Sequence, residues 1–269
     1  MVLRRVDFGE ADRVLVLFTR EHGKLSVVAK GIRRLSSRSA GHLELFTESD
    51  IQLAKGANLD VVTQVETRNA FRRVREDLTR TSTAYLIVET ADALTEEGAE
   101  QAELFDLLLA TFGALETTDD ARLLAAHYQL RLLDVTGFRP VLMTCVGCDS
   151  ALLPGRNYFT AHLGGALCPN CGPSEPSSRP IDSDVLKVLR NLQRAGLPGT
   201  VKFRVPEMTM REVERILREL LERHTERRLR TPDLLARLRV DAPASDPAQI
   251  TATDEEAAPA TPAGSPPAP

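Results

Sequence analysis

Four cysteines constrain this 269-residue chain more than any other feature: Cys145-Val146-Gly147-Cys148 and Cys168-Pro169-Asn170-Cys171, separated by nineteen residues. Two C-x2-C pairs at this spacing predict one tetrahedral metal site rather than four independent thiols. Thiolates two residues apart on a tight knuckle span one edge of a tetrahedron at about 2.3 Å from zinc. Gly147 and Gly172 are expected to give the knuckles their backbone freedom. The alternatives are two disulfides or a redox pair. The segment Met1–Arg5 lacks the apolar stretch and small-residue cleavage site of a secretion signal, which points to a cytoplasmic chain. Structural disulfides are rare there, so zinc is favoured. Four cysteines leave no open position for water, and the zinc is therefore expected to be structural. His162, between the pairs, is expected at the surface.

Around this insert the residue pattern changes twice. Residues 2–69 read as short strands: 13–19, 24–30, 50–55 and 60–68, with turn signals at His22-Gly23 and Lys55-Gly56-Ala57-Asn58. In the last, Val61, Thr63, Val65 and Thr67 fall on one face and Val62, Gln64, Glu66 and Arg68 on the other. Several short strands in so few residues predict a small, strongly curved sheet or barrel. From Phe71 the period becomes helical, with Phe71, Val74, Leu78, Tyr85 and Val88 on one face. Helices are expected over 101–116, over 120–136 after Thr118-Asp119, and over 183–195. A last helix is expected from a capping box at Thr209–Glu212. Gly137 and Pro140 are a helix stop. The expected class is α+β and multidomain. An N-terminal β-barrel over 1–79 is followed by an α-helical domain over 80–240, with the cysteine ribbon inserted at about 141–180. Residues 241–269 are Ala/Pro-rich and carry five acids with no Lys or Arg, so they are expected to be disordered.

Charge is unevenly spread. The chain is formally −4, yet residues 1–80 hold 15 Lys/Arg against 11 Asp/Glu. Four of those cations, Lys30, Arg33, Arg34 and Arg38, sit between two strands among Gly and Ser residues. Such a loop can wrap phosphates. Arg72 and Arg73 follow at the sheet–helix junction and extend the candidate DNA-binding set. Aromatic residues are scarce: Phe8, Phe18, Phe46 and Phe71 are the rings of residues 1–80, and most are expected in the core. Binding is therefore expected to rest on phosphate charge, to weaken with salt and to ignore sequence. Catalytic motifs are missing. Gly23-Lys24 lacks the glycine and Ser/Thr of a P-loop, and neither G-x-S-x-G nor H-E-x-x-H occurs. A non-enzyme is expected. No apolar run reaches the roughly 18 residues of a membrane span.

The order of these features resembles the RecO family of bacterial DNA repair proteins. The resemblance runs through Val2–Arg5, Gly9–Arg13, Phe18–Lys24, Ala29–Gly31, Gly41–Phe46 and Leu59–Gln64. It continues in Leu130–Leu133, Gly137–Pro140, the cysteine pairs, His224 and Arg227–Arg230. It implies an N-terminal OB-fold, a helical domain and, in many members, an inserted zinc ribbon. It also implies a non-enzymatic, nucleoid-associated recombination mediator of the RecF pathway. Such a protein binds single- and double-stranded DNA, anneals complementary strands, engages the single-stranded DNA-binding protein SSB, and with RecR helps load RecA. By position, Lys30, Arg33, Arg34 and Arg38 match the family's basic loop. Arg131 matches a helical-domain position for the acidic SSB tail, with a structural ion pair as its alternative. Two departures stand out. Family members usually have residues ahead of Val2-Leu3, so either the first strand is expected to be short or the true start is expected to lie upstream, and the acidic tail is not a family feature. The alternative reading is a zinc-ribbon docking protein without annealing activity.

Overall fold

The computed structural model describes residues 1–196, 203–225 and 228–233. The acidic segment 241–269 and Arg227 lie outside the described residues. Five N-terminal strands, β1 (Val2–Phe8), β2 (Asp12–Thr19), β3 (Gly23–Ala29), β4 (Glu48–Ala54) and β5 (Asp60–Asn69), form a sheet in the order β1-β2-β3-β5-β4. All neighbours are antiparallel except β3 and β5, which pair in parallel through Val27–Asp60 and Val28–Val61. The expected closed ladder is not formed, because edge strands β1 and β4 do not pair as strands. Val2 reaches across through its backbone: its N–H donates to Thr47 O (3.3 Å), and its carbonyl accepts from Phe46 N (3.2 Å). The first strand spans seven residues.

Alternation drives the inner face. Leu15, Leu17, Val27 and Ala29 are buried together with Val2, Ile32 and Leu43 in a small core of their own. The clean alternation expected along β5 is interrupted. Leu53 pairs with Val62 but Gln52 pairs with Gln64, which leaves Thr63 as an extra residue. Across such a bulge the facing parity inverts. Val62 and Val65, of opposite parity, therefore both pack on the inner core.

Among the described residues the named helices are α1 (Arg72–Glu76), α2 (Leu78–Leu94), α3 (Ala102–Leu115), α4 (Ala121–Val135), α5 (Ser183–Arg194) and α6 (Glu207–Thr225). Helix α4 packs on α2, α3, α5 and α6. It is buried nearly all round, as a helix at the centre of a bundle must be. The single face expected from Phe71 to Val88 is broken at Asp77. The Asp77 carboxylate accepts from Arg80 N (2.8 Å) and starts a new helix. The phase resets there, so Leu78 and Tyr85 are exposed while Phe71, Val74 and Val88 are buried. Two caps also differ from expectation. Asp120, rather than Thr118-Asp119, caps α4 through Leu123 N (2.9 Å). Helix α6 begins at Glu207, before the expected capping box. Gly137 ends α4 with φ +84° as expected.

Three rings fix the sheet on the helices. Phe46 and Phe71 lie 5.6 and 5.4 Å from Phe112, and Phe18 lies 6.1 Å from Phe105. Among the described residues, no helix is long and apolar enough to cross a membrane.

Candidate metal centre and nucleic-acid interface

Between α4 and α5 the chain forms a three-stranded sheet in the order β7-β6-β8, with β6 Asn157–Thr160, β7 Gly165–Leu167 and β8 Arg179–Ile181. Its buried residues Leu142, Leu152, Phe159, Leu167 and Ile181 belong to the same core as the helices. Helix α5 grips its start: Arg190 Nε donates to Leu142 O and Gln193 Nε2 to Pro140 O, both at 2.8 Å.

The sheet brings all four cysteines together, with their sulfurs within 4.8 Å of one another. All four are free thiols, so the disulfide alternative is not realised. Each pair sits on a tight turn. Asp149 N donates to Cys145 O and Cys145 N to Ser150 O, both at 2.8 Å; Gly172 N donates to Cys168 O at 2.9 Å. Backbone N–H groups also point at sulfur: Gly147 N and Cys168 N lie 3.4 and 3.3 Å from Cys145 Sγ. Such donors stabilise a thiolate. Hydrogen bonds at Ser150 lower the Cys148 thiol, whereas the crowding sulfurs of Cys148, Cys168 and Cys145 raise Cys171. A cluster this close needs a cation to hold every sulfur ionised, and its donor set fits a metal ion. His162 is exposed, as expected, and is not part of the cluster.

The two glycines act differently from expectation. Neither has positive φ; Asp149 takes the left-handed conformation, at +58°. They are required for space. A Cβ on Gly172 would meet the Tyr158 ring at 2.2 Å, and one on Gly147 would meet Leu167 at 3.2 Å and Cys171 Cβ at 3.3 Å.

The basic loop follows β3 and is anchored on the β1–β2 turn. Arg33 N donates to Ala11 O (2.9 Å) and Gly31 N to Asp12 Oδ1 (2.7 Å). Lys30, Arg33, Arg34 and Arg38 are all exposed. Arg33 lies 3.6 Å from Asp7, whereas Lys30, Arg34 and Arg38 have no carboxylate partner among the described residues. Arg72 and Arg73 are exposed on α1. Strand β5 starts beside β3 at Val61 and carries the chain about 25 Å along its length before α1 begins. In α4, Arg131 donates to Asp134 (2.9 Å), the expected structural pair. Arg139 shares that carboxylate at 3.1 Å. Of the four N-terminal phenylalanines, Phe8 alone is not buried, which sequence reasoning did not single out.

Comparison with known proteins matches this architecture in order. A family model described as "Recombination protein O N terminal" matches residues 1–71, and "Recombination protein O C terminal" matches residues 75–233. The chain belongs to the RecO family. A relative from Roseiflexus sp. (strain RS-1) is 40% identical over 249 residues, 91% of this chain and 88% of its own. One from Dehalococcoides mccartyi (strain ATCC BAA-2266 / KCTC 15142 / 195) is 33% identical over 218 residues, 81% and 86% of the two chains. A third, from Symbiobacterium thermophilum, is 35% identical over 242 residues, 89% and 96%. Each is named "DNA repair protein RecO". The boundary between the two RecO regions, residues 72–74, falls at the first turn of α1, just after Phe71 packs on Phe112.

Proposed function

We propose that this RecO family member is a non-enzymatic, cytoplasmic DNA repair and recombination mediator that acts on nucleoid DNA. The observation that carries the reading is the exposed loop in which Lys30, Arg34 and Arg38 have no carboxylate partner among the described residues. Cations left unpaired on a surface are available to phosphates. Two DNA strands repel each other, and a surface that neutralises both raises the chance that they meet. Annealing by this route requires no bond to be made or broken. Arg33 joins the loop, while Arg72 and Arg73 offer a second contact for a longer strand or for a duplex.

The N-terminal region is read as an OB-fold from its strand order, its parallel β3–β5 pair and the Val2 hydrogen bonds that draw β1 towards β4. It covers 1–79, the helical domain with its ribbon covers 80–240, and 241–269 is an acidic tail. Cys145, Cys148, Cys168 and Cys171 hold structural Zn2+, which would fix the ribbon against α5. Arg131 and Arg139 share Asp134, so this corner of the helical domain keeps one positive charge beside the exposed Phe138. That combination suits the acidic, apolar-ended tail of SSB. RecR would then join, and RecA would be loaded indirectly.

The test is annealing of complementary oligonucleotides coated with cognate SSB, with and without this protein, using SSB lacking its C-terminal tail as the control. Faster annealing that depends on the tail is expected. No annealing by folded, metal-loaded protein would overturn the reading in favour of a zinc-ribbon docking protein.

A further inference from the structure

The sheet carries an apolar row that neither hydrophobic core uses. Val6 pairs with Val14, Val14 with Val28, and Val28 with Val61. Directly opposed residues share a face, so these four valines line up across four strands. Leu15, Leu17 and Val27 on the opposite face fill the inner core; none of the four valines belongs to that core or to the helical one. The helices cover only the far half of the outer face. There Phe18 is buried, Lys24 binds Asp92 at 3.0 Å and Ser26 binds Glu97 at 2.6 Å. The near half stays open: Val6 is 53% exposed and Phe8, two residues on and on the same face, is 58% exposed.

This open half is framed by charge. Phe8 pairs with Asp12, and Lys30 follows the last residue of β3 on that edge. The basic loop is tied to the same turn: an Arg33 guanidinium N–H lies 3.5 Å from Gly9 O. Arg34 folds back over Gly31, and Leu35 at the loop's tip is fully exposed. Apart from Glu10, the acids of the hairpin are engaged: Asp7 by Arg13 and Arg33, Asp12 by Gly31 N. An exposed ring and apolar row beside unpaired cations is the arrangement that holds unpaired bases while phosphates follow the charge. In a duplex the bases are stacked inside and a surface ring cannot reach one without unstacking it.

Resting on the DNA-binding reading above, we propose that Phe8 stacks on one unpaired base of single-stranded DNA, against the valine row, and so sets a preference for single over paired strands. One ring pins one base and leaves the neighbouring bases free to pair, as annealing demands.

The chain contains no tryptophan, so Phe8→Trp places a single reporter at the site. Its emission is recorded in the full chain while a 30-nucleotide single strand, and separately its duplex, is added; anisotropy gives affinities for wild type, Phe8→Ala and Phe8→Trp. The expected result is quenching by the single strand but not by the duplex. Phe8→Ala should lose about 5- to 140-fold in single-strand affinity, with duplex affinity unchanged and Phe8→Trp restoring it. Phe8 is a surface residue, so all variants should keep the wild-type melting temperature. Equal losses on both DNAs, no loss, or no quenching would overturn the proposal. An emission change that depends on protein concentration without DNA would also overturn it, marking the face as a contact between copies. If the wild type binds neither DNA, the functional reading itself fails. If it binds both and Phe8 does not matter, only this inference fails.

Discussion

Replacing Lys30, Arg34 and Arg38 together by alanine tests the charge argument by counting. Each cation that neutralises a phosphate releases condensed counterions, and for single strands the slope of log affinity against log salt is about −0.7 per contact. Lys30, Arg34 and Arg38 are exposed and without carboxylate partners among the described residues, so each can contribute a full contact. The triple variant should therefore have a slope shallower by about 2. Between about 50 mM and about 200 mM salt, wild type should lose roughly 15- to 20-fold more affinity than the variant. Arg33→Ala is the internal control. Arg33 already faces Asp7 at 3.6 Å, and that carboxylate must yield before a phosphate can replace it. Its slope change should be well below 0.7. The assay is fluorescence anisotropy of a labelled single strand over a salt series. Stability should stay within about 0.5 kcal/mol of wild type, since the replaced side chains are surface groups. A triple variant that is folded and keeps the wild-type slope would refute the assignment of this loop to phosphates.

Three further outcomes follow from the helical body and the ribbon. Purified protein should hold one metal ion per chain by elemental analysis; Gly172→Ala, whose Cβ would lie 2.2 Å from the Tyr158 ring, should lower that ratio more than Gly147→Ala. Equal, full occupancy in both would refute the close-approach argument. Arg122 in α4 clamps α6, donating to Glu214 (2.9 Å) and Glu207 (2.6 Å). Arg122→Ala should cost about 1–3 kcal/mol in urea unfolding, the half-exposed Glu207 supplying the smaller share, and a cycle with Glu214→Gln should show coupling. Acid should weaken the same interface. The Arg122 hydrogen bond holds Glu207 below the usual glutamate value of 4.5. Such a carboxylate stabilises fully above 4.5, and the contribution is lost as pH falls from there through the lowered folded value. The urea midpoint should drop below pH 4.5, less steeply in Arg122→Ala, and an unchanged slope in that variant would contradict the assignment.

The local pattern by itself determined a good deal. Strands β2 to β5 lie within one or two residues of where β-branched runs and turn signals put them. The helices from α3 onward lie close to where a 3.6-residue period put them. The cysteine spacing identified its cluster because two short knuckles leave little freedom about where four sulfurs can meet. These are short-range properties, fixed by neighbours a few residues away. Which face of an element is covered is not short-range, and only the tertiary structure decided it. Thr63 inverts β5 because of how β4 pairs with it. Asp77 restarts the helical phase, so Tyr85 faces out. Gly147 and Gly172 look like hinges in sequence, yet Leu167, Cys171 and Tyr158 make them spacers. Arg72 and Arg73 carry the same charge as Lys30 but sit on α1, which follows the far end of β5 in the chain. Phe8 was indistinguishable from Phe18, Phe46 and Phe71 as a residue type. The others meet Phe105 or Phe112 from the helices, and among the described residues no helix covers the end of the sheet where Phe8 lies.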